Sequence, residues 1–67
     1  MMEKMEFYTI KLSPNKTVYL RAIENGFKWD KLEDAIYWQT WADAEKFAQG
    51  YFKKYNNWII EEVVVQL

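Results

Sequence analysis

The chain has 67 residues, 51% of them hydrophobic and 28% charged, with a net charge of −1 and neither cysteine nor histidine. That excludes a disulfide framework, a thiolate nucleophile and a zinc site of the Cys/His kind, and it removes the commonest general base. A charge this near zero argues against a protein held to nucleic acid mainly through phosphates, and against a strongly acidic mimic of DNA.

Residues Met5 to Leu12 alternate, with Tyr8, Ile10 and Leu12 on one side and Phe7, Thr9 and Lys11 on the other, the pattern of a strand with one strongly apolar face. Ser13-Pro14-Asn15-Lys16 reads as a turn. Thr17 to Ile23 then gives a second strand, with Val18, Leu20 and Ala22 alternating against Tyr19, Arg21 and Ile23. The two should form a hairpin in which Ile10 lies opposite Val18 or Leu20, because a slip of one residue would set Tyr8 and Ile10 beside Arg21 and Tyr19.

Glu24-Asn25-Gly26 is a second turn, and Phe27-Lys28-Trp29 a short extended piece after it. Asp30 to Asp34 reads as one helical turn, with Asp30 as cap and Glu33 in the place a capping box requires. Ala35 to Gln39 has β-branched and aromatic character and is predicted as a short third strand.

A helix is predicted from Thr40, a natural N-cap with Asp43 at the third helical position. Trp41, Ala44, Phe47, Ala48, Tyr51, Phe52 and Tyr55 recur at three- and four-residue spacing, an amphipathic stripe. Asp43 and Glu45 near its start, and Lys53 and Lys54 near its end, suit the helix dipole. Gly50 is a local weakness of about 1 kcal/mol relative to alanine, tolerable where the helix crosses close to the sheet. Asn56-Asn57 ends the helix. Trp58 to Leu67 is the last strand, with apolar residues on both sides and one glutamate on each, Glu61 and Glu62. Such a strand is expected to be central and covered on both faces, or to join an interface.

The expected fold is therefore a single two-layer α+β domain over residues 1–67, in the order β-β-β-α-β, with one helix packed on a small antiparallel sheet. The N-terminal residues show no apolar run of a leader and no stretch approaches the roughly 20 apolar residues of a membrane span, so a cytoplasmic protein without membrane contact is expected.

Catalytic chemistry has little to draw on. Ser13 is the single serine and stands beside Pro14 in a turn. The only glycines, Gly26 and Gly50, build no phosphate-binding loop and no oxyanion hole. Glu61 and Glu62 are adjacent on a strand and point to opposite faces, so they cannot face one another across a cleft. Asp30, Glu33 and Asp34 match no established cation-binding loop and are better explained by capping and solvation. No catalytic residue, cofactor site or metal site is expected.

The chain is rich instead in groups that recognise: four Trp, five Tyr and four Phe. These are more than a domain of this size readily hides, and Tyr, Trp, Phe and Arg dominate protein interfaces. The sheet face away from the helix is expected to show Phe7, Lys11, Tyr19, Arg21 and Tyr37. Phe7, Tyr19, Arg21 and Tyr37 are the first candidates for protein contact, with Phe27 and Trp29 in the adjoining loop as second candidates. The same aromatic and basic face would also suit single-stranded nucleic acid, but the basic residues are scattered and no ribonucleoprotein-type motif is present.

Phe7-Tyr8-Thr9-Ile10-Lys11, Tyr19-Leu20, Gly26-Phe27-Lys28-Trp29, then Ala35, Trp38 and Thr40, and Ala44-Glu45-Lys46-Phe47-Ala48 together resemble small accessory proteins of bacteriophages and prophages. The likeness spans most of the chain and carries no functional residue across. It implies a class of small virus-encoded proteins that bind a host or mobile-element protein (a nuclease, a repressor or a replication factor) and block or redirect it. A homodimer and a purely structural small domain are also compatible with the sequence.

Overall fold

The computed structural model describes residues 3–52 and 57–66. Its elements are β1 (Lys4–Ser13), β2 (Lys16–Ile23), β3 (Gly26–Asp30), a 3-10 turn (Leu32–Asp34), α1 (Trp41–Tyr51) and β4 (Ile59–Gln66). The strands form one antiparallel sheet in the order β3-β2-β1-β4, and α1 packs against one side of it. The α+β class and the β-β-β-α-β order are as the sequence indicates, but the third strand is Gly26–Asp30 rather than Ala35–Gln39.

The hairpin between β1 and β2 turns at Pro14-Asn15 and sets Lys11 opposite Tyr19. In that register Ile10 falls beside Leu20, and both are fully buried in the core with Ala48 and Phe52. The second turn needs Gly26, whose φ of +144° lies where side-chain-bearing residues are strained. It delivers Phe27 opposite Ala22 and Trp29 opposite Leu20, on the helix side of the sheet.

β1 and β2 stay paired only near their turn. Beyond Lys11 and Tyr19 the segment Ile36–Trp38 bridges the two strands. Ile36 N–H donates to the Leu20 carbonyl at 3.0 Å, and Tyr8 and Trp38 exchange two backbone hydrogen bonds of 2.8 Å each. Thr9, with no exposed surface, donates its hydroxyl to the Ile36 carbonyl at 2.9 Å. Alternation holds along this bridge. Ile36 and Trp38 pack towards the core, while Tyr37 turns to the other face against Phe7. The β-like pattern seen at Ala35–Gln39 is thus real, but the segment makes a single isolated bridge instead of a ladder.

Asp30 does not cap the short helical turn. Lys31 holds the cap position without a side-chain bond, and the Asp30 carboxylate accepts from Lys31 N–H at 2.8 Å and from Arg21. Helix α1 starts as predicted: the Thr40 hydroxyl accepts from Asp43 N–H at 3.1 Å. Ala44, Ala48 and Phe52 are buried and Phe47 is half-buried, but Trp41 and Tyr51 are about half exposed, at 49% and 50%. The fully buried centre of the stripe is therefore narrower than the sequence suggests, with Trp41 and Tyr51 at its margins and Tyr51 still in ring contact with Phe27, Phe47 and Phe52. The predicted helix end at Lys53, Lys54, Tyr55 and Asn56 lies outside the described residues.

Two stability outcomes follow. Thr9→Val keeps the shape at a fully buried position but takes the hydroxyl donor from the partly buried Ile36 carbonyl, and is expected to cost about 1–3 kcal/mol in chemical denaturation. Gly50 does not sit at a close helix–sheet crossing, since a Cβ there would meet nothing within 4 Å. Gly50→Ala should therefore raise stability by about 0.4–1 kcal/mol, measurable as a higher melting temperature.

Candidate protein-binding surface

The sheet side away from α1 carries the odd-numbered residues of β1 and β4 and their neighbours across the strands. Strand register places Lys11 beside Tyr19 and Ile59, Thr9 beside Glu61, Phe7 beside Val63, and Met5 beside Val65. Arg21 lies beside Lys28, and Tyr19 beside Asp30. The face divides into a charged end, over β2 and β3, and an apolar end, over the ribbon made by the outer halves of β1 and β4.

The charged end is internally paired. Arg21 Nη1 reaches Asp30 Oδ2 at 2.8 Å and Asp34 Oδ2 at 3.5 Å; Lys28 reaches Asp30 at 3.4 Å; Lys31 lies within 4.0 Å of both Glu33 and Asp34. The Lys31 N–H, then Arg21, then Lys28 stabilise the Asp30 carboxylate, which pulls its pKa down to about 2.

Next to it lies a tight three-residue group. Tyr19 Oη donates to Glu61 Oε2 at 2.6 Å, Lys11 Nζ sits 3.7 Å from Glu61 Oε1, and the same ammonium lies 6.0 Å from the centre of the Tyr19 ring. Tyr19 is only 7% exposed, with its phenol committed to Glu61. The hydrogen bond to the carboxylate, then burial, then the nearby negative charge push its pKa up to about 12.

The apolar end is different. Phe7 and Tyr37 rings pack at 5.8 Å, tilted by 54°. Met5, Tyr37 and Val65 are each more than 40% exposed, and Val63 and Phe7 are half-buried beside them. The Tyr37 hydroxyl donates to the Leu32 carbonyl at 2.8 Å, which anchors the ring over Phe7. Cross-strand pairing thus assembles a strip of Met5, Phe7, Tyr37, Val63 and Val65.

The candidates named from sequence separate accordingly. Phe7 and Tyr37 meet, as a shared face requires. Arg21 is partly exposed but held by two carboxylates. Tyr19 is buried, so its ring is not offered to a partner; β2 is an inner strand, and Glu61 and Lys11 close over it. Phe27 and Trp29 are not in a loop but in β3, facing the helix. There Phe27 contacts Phe47 and Tyr51 at centroid distances of 5.3 and 4.9 Å, and Trp29 stacks on Phe52 at 5.5 Å. Both serve the core edge. Met5, Val63 and Val65 were not singled out from sequence. Their signal was the two-sided apolar pattern of the last strand, which becomes a surface feature because β4 is an edge strand.

Among the described residues no three carboxylates converge on a position that could hold a metal ion, and no helix is long and apolar enough to cross a membrane. Compared with family models, with curated proteins and with solved structures, the chain matches none of them.

The Tyr19–Glu61 bond makes a pH prediction. A phenol whose proton is held more tightly in the folded state stabilises the fold fully below the unfolded pKa of about 10, and loses that contribution as pH rises towards 12. A tyrosinate absorbance titration should show one late-ionising phenol. Tyr19→Phe should remove it and flatten the fall in stability across the same interval.

Proposed function

We propose that this chain is a non-catalytic, phage-type binding protein that captures a host or mobile-element protein and inhibits or redirects it. The observation that carries the proposal is the exposed strip of Met5, Phe7, Tyr37, Val63 and Val65 on the face opposite the helix. Apolar and aromatic side chains gathered on a flat surface, with a polar border of paired charges, have the composition of an interface centre and its rim. The border here is the Arg21–Asp30–Asp34 group and the Lys11–Glu61 pair. A cytoplasmic location in a host cell is part of this proposal, since that is where such a partner would be met.

The nucleic-acid alternative draws less support. On this face Lys11, Arg21, Lys28 and Lys31 each stand within 4.0 Å of a carboxylate. Cations already neutralised in this way release few counterions on meeting a phosphate backbone.

The test uses residues that are exposed and contribute little to the core. Met5→Lys combined with Tyr37→Ala should lower capture of partner protein from a bacterial lysate by about tenfold or more while leaving the circular dichroism unchanged. Tyr19→Phe, which alters a buried phenol, should leave capture as it is. Capture unaffected by the double substitution would remove this strip as the binding surface.

A further inference from the structure

We infer that the outer edge of β4 pairs antiparallel with β4 of a second copy of this chain, centred on Val64, so that two four-stranded sheets join into one of eight strands. The inference rests on the edge of β4 and does not depend on the binding proposal for the open face.

The backbone fixes which groups are free. Tyr8 sends both its N–H and its carbonyl to Trp38, away from β4. Tyr8 is the register partner of Glu62, so that pair is the non-bonded kind of an antiparallel ladder. Bonded and non-bonded pairs alternate, which makes Phe7–Val63 and Met5–Val65 the bonded ones. The N–H and carbonyl groups of Glu62, Val64 and Gln66 therefore point out of the sheet, along an edge that β1 leaves open. β4 contains no proline and no lysine, two common means of blunting such an edge.

The side chains select the occupant and the register. A second β4 in antiparallel orientation must match outward-pointing residues with one another. Centring on Glu62 would set two carboxylates face to face. Centring on Val64 sets Val64 against the second copy's Val64, Val63 against its Val65, and Glu62 against its Gln66. Between Glu62 and Gln66 the valines then meet only valines, and the Glu62 carboxylate meets the Gln66 amide, which can donate to it. Val64, 47% exposed in the single chain, becomes the centre of the contact. A two-fold axis through that point makes the contact self-complementary. Even-numbered residues face even-numbered ones, so both helices lie on one side of the joined sheet. On the other side the rows Phe7–Val63 and Met5–Val65 continue into the second copy's Val65–Met5 and Val63–Phe7, which merges two apolar strips into one.

Sedimentation equilibrium on the full chain tests this. The wild type should show a reversible monomer–dimer equilibrium between micromolar concentrations and about 1 mM. Val64→Pro deletes a donor that β1 does not use, so it should weaken the dimer about tenfold or more with unchanged circular dichroism. Gln66→Lys, which offers Glu62 an opposite charge, should tighten the dimer, and Gln66→Glu should loosen it. A wild type that stays monomeric to about 1 mM overturns the inference. So does a dimer that ignores Val64→Pro, one that ignores the charge changes at Gln66, or one broken by Met5→Lys with Tyr37→Ala, which would place the contact on the open face.

Discussion

The structure depends on how one irregular segment is held between two strands. β1 and β2 separate beyond Lys11 and Tyr19, and a gap there would strand backbone donors and acceptors away from water. Ile36–Trp38 closes it, bonded to Leu20 on one strand and to Tyr8 on the other, with the buried Thr9 hydroxyl satisfying the Ile36 carbonyl. Three consequences follow. Ile36 and Trp38 add to the core. Tyr37 is delivered to the opposite face beside Phe7. Thr40 is left where it can start the helix, with its hydroxyl on Asp43 N–H. The core, the exposed strip and the helix position all pass through this one connection.

The aromatic richness resolves into two populations once the faces are known. Trp38, Phe47, Phe27, Tyr51, Phe52 and Trp29 form a continuous run of ring contacts between helix and sheet, with centroid distances from 4.9 to 5.5 Å. Among the described residues the apolar side chains with essentially no exposure are Ile10, Leu20, Ala44 and Ala48, two of them small, so the rings are needed to fill the layer. The rings are therefore mostly structural, and the surface left for recognition owes as much to Met5, Val63 and Val65 as to Phe7 and Tyr37. Opposite them, the Tyr19–Glu61–Lys11 group satisfies the polar atoms that a sheet face with no helix on it would otherwise leave half-solvated.

Much of the fold was legible in periodicity. Alternation kept Ile10 on one face with Val18 and Leu20, between which the observed pairing selects Leu20; the helix start followed from Thr40 and Asp43, and the second turn from Asn25-Gly26. What sequence could not convey was strand order. Phe27-Lys28-Trp29 is too short to declare itself a strand, and only its pairing with Leu20 and Ala22 turns both rings towards the helix. Ala35–Gln39 alternates like a strand because it does lie between two strands, yet it has room for a single bridge. The surface was half legible for the same reason. Phe7 and Tyr37 alternate onto the open face whichever strands are neighbours, whereas the fate of Tyr19 depends on β2 being an inner strand with Glu61 brought across from β4. A pairing between residues 42 apart in the chain leaves no local trace.

Strand order also governs what the surface can do. With β4 outermost among the described strands, it carries neither lysine nor proline, and the backbone groups of Glu62, Val64 and Gln66 face outward. The ribbon of β1 and β4 thus presents two kinds of unsatisfied surface on adjoining sides: a flat apolar strip on the sheet face and a hydrogen-bonding rim along its edge. They make different demands on what covers them. The strip asks for apolar contact area and tolerates many shapes, so it suits a partner of unrelated sequence. The rim asks for another extended strand in fixed phase, and Val63-Val64-Val65 flanked by Glu62 and Gln66 meets that demand with its own copy reversed. A single strand can therefore serve both uses at once, because side chains at odd positions face the strip while backbone groups at even positions face the rim.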